Sequence, residues 1–126
     1  STEDFLVDKI LDQAGAKGTG KWTSQEAMDL PVSIPAVDAA VSMRQLSVYK
    51  KERVAVAGFY NEVQPVSKKD AAALEAALEG ALQAGYILAY AQGLSMLAKA
   101  SEVHGMNIPL PSVIQVWKSG CIIRSA

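Results

Sequence analysis

Residues 67–104 constrain this chain more than any other stretch. They carry apolar side chains at helical spacing, without a proline, for thirty-eight positions. As one unbroken α-helix they would form a rod of about 57 Å. A compact domain of 126 residues has a radius of gyration of only about 14 Å. Either the helix breaks, at Gly80, Gly85 or Gly93, or another chain or segment covers what protrudes. Residues 80–98 carry no formal charge over nineteen positions, which is long enough to span a bilayer. Gln83, Gln92 and Ser95 argue against lipid, flanking basic anchors are sparse, and the stretch is rich in alanine rather than leucine. A helix apolar nearly all round is expected instead at the centre of a bundle or of a dimer core.

The rest of the chain is helical in pattern as well. Residues 2–14 read as an amphipathic helix capped by Thr2, with Phe5, Leu6, Ile10 and Leu11 as its stripe and Gly15 as its end. Thr23-Ser24-Gln25-Glu26 reads as a capping box opening a short helix over 24–30. Ser33 can cap a long helix over 34–57, closed by Gly58. A second box, Ser67-Lys68-Lys69-Asp70, precedes the long stretch, and Pro111 or Ser112 opens a last helix through Trp117. No strand pattern occurs, so the expected fold is all-α, a single multi-helix domain over 1–126.

Composition excludes several function classes. With half the residues apolar and a net charge of −1, no global basic field draws the chain to nucleic acid or acidic lipid. One cysteine, Cys121, excludes a disulfide framework and makes a reducing, cytoplasmic setting the simpler expectation; Cys121 lies in an apolar run that suggests burial. One histidine and one cysteine far apart make a metal site unexpected. His104, in the last turn of the long helix, reads as a favourable charge at a helix C-terminus rather than a catalytic group. Tyr86, Tyr90, Trp22 and Trp117 read as packing residues. The first residues carry no leader pattern, and both ends read as cut from something longer.

The chemistry concentrates in Gly15-Ala16-Lys17-Gly18-Thr19-Gly20-Lys21-Trp22-Thr23, read as a loop outside regular structure. Glycine lets a backbone bend and approach a ligand closely, while lysine and threonine supply charge and donors. The run imitates a nucleotide P-loop but has Trp22 where Ser or Thr would hold magnesium, and a helix where a strand should precede it. The dinucleotide fingerprint fails too, because Thr23 stands where the third glycine belongs. Two readings of the residues stay open, an anion site and a plain helix–helix connection. Arg44 bears on the choice: it shares a stripe with Val37, Val41, Val48 and Ala55, and a guanidinium there needs a carboxylate, a surface or an anion.

Three segments together resemble the C-terminal helical domain of 6-phosphogluconate dehydrogenase. They are Lys17-Gly18-Thr19-Gly20-Lys21-Trp22-Thr23, Tyr90-Ala91-Gln92-Gly93, and Trp117-Lys118-Ser119-Gly120-Cys121-Ile122-Ile123-Arg124-Ser125. Their order and spacing fit through nearly the whole chain. The family usually has arginine at the place of Lys118 and glycine at that of Ser119, and residues 58–77 match weakly. The resemblance implies an NADP-linked enzyme of the pentose phosphate pathway that oxidises and decarboxylates 6-phosphogluconate to ribulose 5-phosphate as a homodimer. It implies that Lys17, Thr19 and Arg44 hold the substrate phosphate. It also implies that the catalytic lysine and glutamate, the nucleotide site and the partner-reaching tail have no counterpart in this chain, so that the chain by itself should be inactive. The rival expectations are a helical dimerisation module without ligand chemistry, and a related β-hydroxyacid dehydrogenase domain.

Overall fold

A computed structural model describes residues 5–60 and 70–118. Among them the regular structure is entirely helical. A short 3-10 turn, Leu6–Lys9, is followed by α1 (Thr19–Asp29), α2 (Pro35–Ser47), α3 (Lys50–Ala57), α4 (Ala71–His104) and α5 (Leu110–Lys118). The Thr2 cap, residues 67–69 of the second box and the segment from Ser119 through Cys121 to Ser125 lie outside the described residues, while Asp70 stands at the N-cap of α4 with no side-chain bond.

Among the described residues, the fully buried side chains sit where α1 turns into α2. Ala27, Leu30 and Ile34 are 2%, 3% and 1% exposed. The chain is turned there by short backbone bonds, Leu30 N–H to Glu26 O at 2.9 Å and Val32 N–H to Ala27 O at 2.8 Å. Pro35 then occupies the first turn of α2, where its missing N–H costs nothing. The next N–H, that of Ala36, donates to Gln92 Oε1 of α4 at 2.9 Å. A side chain from a distant helix thus satisfies one of the orphan donors at the start of α2.

Helix α4 delivers the rest of the packing from its second half. Tyr90 meets Trp117 of α5 edge-on, with ring centroids 5.5 Å apart and an interplanar angle of 67°. A Cβ on Gly93 would stand 4.0 Å from the same indole, so Gly93 gives Trp117 its seat. Gly105 ends α4 in the left-handed conformation at φ 62°, as a glycine can without strain. Ser101 Oγ then accepts the Ile108 N–H at 2.8 Å and fixes the turn into α5.

Several sequence expectations need correction. Of the expected helix over 2–14, the described residues 5–14 hold one 3-10 turn, Leu6–Lys9, followed by chain without regular structure. The expected helix over 34–57 is two helices. At the junction, Val48 and Tyr49 bond back three residues, to Gln45 O at 3.3 Å and Leu46 O at 3.1 Å, which tightens the last turn and ends the α-helix without glycine or proline. Ala55 therefore leaves the Arg44 stripe. Ser33 does not cap; Ile34 stands at the N-cap of α2 with no side-chain bond.

Gly80, Gly85 and Gly93 do not break α4, which runs 34 residues. Nor is α4 a buried central rod. It carries Glu75, Glu79, Lys99 and Glu102, residues 71–89 are all exposed, and Leu82 and Ile87 are each 62% exposed. Among the described residues, no helix is long and apolar enough to cross a membrane.

Candidate functional site

The Lys-Gly-Thr-Gly-Lys run is half loop and half helix. Helix α1 starts at Thr19, five residues earlier than the expected start at 24. Gly18 is its N-cap, with φ 100°, a conformation that glycine alone enters freely. A Cβ on Gly18 would also come within 3.3 Å of the Trp22 indole. Trp22 is thus no core anchor: it is 63% exposed and lies over the Gly18 backbone. Thr23 does not cap either. Its hydroxyl donates back to Thr19 O at 2.8 Å inside the helix, and Glu26 lies 3.5 Å from His104 Nε2 at the far end of α4.

Helices α1 and α2 run antiparallel in a register that three contacts fix. The Ser24 hydroxyl donates to Asp38 Oδ1 at 2.7 Å. One turn back, Gly20 lies so close to α2 that a Cβ there would meet Val41 Cγ2 at 2.9 Å. Further back, the Ala14 N–H donates to Ser47 Oγ at 2.9 Å. Lys17 falls between Ala14 and Gly20 along one side, and Arg44 falls between Val41 and Ser47 along the other. The same register places Thr19 in the first turn of α1, beside Gly20.

The electrostatics of this corner are one-sided. The N-terminus of α1 has no side-chain cap and no acidic residue in its first turn, so its first N–H groups and the positive end of its dipole face outward unbalanced. Lys17, Thr19, Lys21 and Arg44 are all exposed. Among the described residues, no carboxylate pairs with Lys17, Lys21 or Arg44. A helix N-terminus without a counter-charge is the kind of feature that favours an anion in general, and Lys17, Lys21 and Arg44 are the cations that flank this one along the two chains. The sequence pointed to the charges but not to Ser24, Asp38 or Ser47, whose roles depend on the pairing of two helices. Tyr90 is half-buried against Trp117, as its packing role required, whereas Tyr86 is 56% exposed.

An all-helical chain with a donor-rich helix N-terminus set against a second helix is the class of structure that the geometry defines. Residues 1–126 match the family described as 6-phosphogluconate dehydrogenase, C-terminal domain. The chain belongs to that family. It is 42% identical over 123 residues to the decarboxylating 6-phosphogluconate dehydrogenase of Lactococcus lactis subsp. lactis, covering 98% of this chain and 26% of the relative. It is 41% identical over 124 residues to that of Synechocystis sp., with the same coverage. It is 42% identical over 123 residues to the NADP(+)-dependent, decarboxylating enzyme of Bacillus subtilis, covering 96% and 26%. The chain thus spans about a quarter of the length of the curated relatives it matches.

Proposed function

We propose that this chain forms the substrate-phosphate and dimerisation part of an NADP-dependent, decarboxylating 6-phosphogluconate dehydrogenase. Lys17 and Arg44 supply charge to the phosphate, Thr19 supplies its hydroxyl, and the first turn of α1 supplies backbone N–H groups. The observation that carries this reading is the α1–α2 register, in which Gly20 against Val41 and Ala14 against Ser47 bracket Lys17 and Arg44 around an acid-free helix N-terminus. Names of relatives that act on 6-phosphogluconate and use NADP(+) support the same substrate and cofactor. A sugar phosphate suits the site better than a nucleotide, because Trp22 occupies the position where a magnesium-holding hydroxyl would be needed. Oxidation and decarboxylation belong to the full-length enzyme, in the cytoplasm; the 126-residue chain alone binds without turnover.

The exposed apolar half of α4 supports a homodimer, since a surface with Leu74, Leu78, Leu82, Ile87 and Leu88 uncovered is an association surface. Titration of 6-phosphogluconate into the chain, followed by NMR, tests the binding reading. Saturable shifts at Lys17, Thr19 and Arg44 that vanish in Arg44→Ala are expected. If those residues stay silent in the full-length protein as well, the chain is a helical dimerisation module only. Full-length protein that turns over small hydroxy acids as well as 6-phosphogluconate would point instead to a related β-hydroxyacid dehydrogenase.

A further inference from the structure

The segment that leads into Lys17 is not free chain. Residues 11–14 are pinned to the junction of α2 and α3 by bonds from three side chains. Lys50 Nζ donates to Leu11 O at 2.7 Å. Arg53 donates through Nη1 to Asp12 Oδ2 and through Nη2 to Asp12 O, both at 3.0 Å. The same Nη2 reaches Ser47 O at 3.2 Å, so one guanidinium ties the incoming segment to the end of α2. Asp12 is held in the left-handed conformation, φ 58°, which an aspartate tolerates and a β-branched residue would not.

Ser47 completes the arrangement. Its hydroxyl accepts the Ala14 N–H at 2.9 Å and donates to Arg44 O at 2.7 Å. A single oxygen therefore links the backbone three residues before Lys17 to the backbone of Arg44 itself. The ion pair of Arg53 with Asp12 is partly exposed, 31% and 60%, and such a pair adds little to stability. What the cluster provides is geometry: it removes freedom from the arm that carries one phosphate ligand and references it to the helix that carries the other.

We infer that Ser47 and Arg53, joined to Asp12, are positioning residues for the substrate phosphate, a clamp at the α2–α3 junction that sets Lys17 opposite Arg44. The inference rests on the proposed phosphate site and adds residues that do not themselves touch substrate. In the full-length enzyme, Arg53→Ala is expected to raise the KM for 6-phosphogluconate roughly tenfold, since misplacing a binding group by about an ångström costs that much or more. The KM for NADP is expected to stay put. The preference for 6-phosphogluconate over gluconate, which has no phosphate, should shrink by the same factor. In a Lys17→Ala background, Arg53→Ala should add less than about twofold, because the residue it positions is already gone.

Ser47→Ala removes only a hydroxyl and is expected to act in the same direction, by about threefold; if Arg53→Ala does not fold, this variant carries the test alone. A preference for the phosphorylated substrate that survives both substitutions but is lost in Lys17→Ala overturns the clamp and leaves the phosphate site standing. A preference that survives Lys17→Ala and Arg44→Ala overturns the site, and the clamp with it. Equal losses of kcat on gluconate and 6-phosphogluconate would mean that Ser47 and Arg53 only support the fold.

Discussion

The α1–α2 pair and the first half of α4 are both rich in small and apolar side chains, yet only the pair is closed by its own chain. In the pair, Ser24 bonds Asp38, Gly20 admits Val41, and Ala27, Leu30 and Ile34 are buried. In α4, residues 71–89 are exposed throughout. The difference teaches that apolar content does not decide burial. A tight connection folds α2 back on α1 within a few residues, whereas the first half of α4 has no such neighbour among the described residues. The pair is therefore where substitution should report on the site and on folding; α4 is where it should report on association.

The sharpest break of this comparison is at Arg44. Arg44→Ala in the full-length enzyme is expected to raise the KM for 6-phosphogluconate about a hundredfold, as loss of charge-assisted bonds of 2–3 kcal/mol implies. Steady-state kinetics check this, and an unchanged KM would detach Arg44 from the phosphate. Gly20→Ala comes next. Its Cβ would overlap Val41, whose branched side chain has little rotameric room, so a loss of about 2 kcal/mol in denaturant unfolding is expected.

On α4, Leu82→Glu places a charge on a leucine that is 62% exposed. It should leave unfolding of the isolated chain nearly unchanged but weaken self-association at least about tenfold in sedimentation. A dimer constant indifferent to this change would remove Leu82 from the interface. The smallest effect has the opposite sign. Nothing lies within 4 Å of a Cβ on Gly80, so Gly80→Ala should stabilise α4 by up to about 1 kcal/mol. Equal responses at Gly20 and Gly80 would erase the distinction between the two regions.

The helical class, the end of the long helix at His104 and the last helix were legible in the sequence, because each follows from local pattern. Lys17, Thr19 and Arg44 stand out by the kinds of residue involved and by the family resemblance, and their role is the one proposed above. What could not be read is what depends on pairing. Residues 2–14 have a helical stripe, but the described part yields to bonds from Lys50, Arg53 and Ser47, some forty residues on in the case of Arg53 and Asp12 (|i−j| = 41); tertiary contacts override propensity there. The end of α2 at Ser47 carries no breaker residue; it is written in the backbone bonds of Val48 and Tyr49 and in the Ser47 carbonyl claimed by Arg53. Thr23-Ser24-Gln25-Glu26 looked like a helix start because its residues are those of a capping box. Gly18, free to turn left-handed, begins the helix sooner and leaves Thr23, Ser24 and Glu26 to other contacts.

The bond from Ala36 to Gln92 gives α4 a mechanical character. Gln92 bonds the start of α2, the helix that carries Arg44, while α4 extends from Gln92 back to Ala71 as one helix. That is a lever with its fulcrum at Gln92 and a free arm of about 30 Å. Tilting such an arm by about five degrees moves its tip by roughly 3 Å and strains the fulcrum by far less. Whatever seats the tip therefore bears, through Gln92, on the start of α2, the helix on which Arg44 sits.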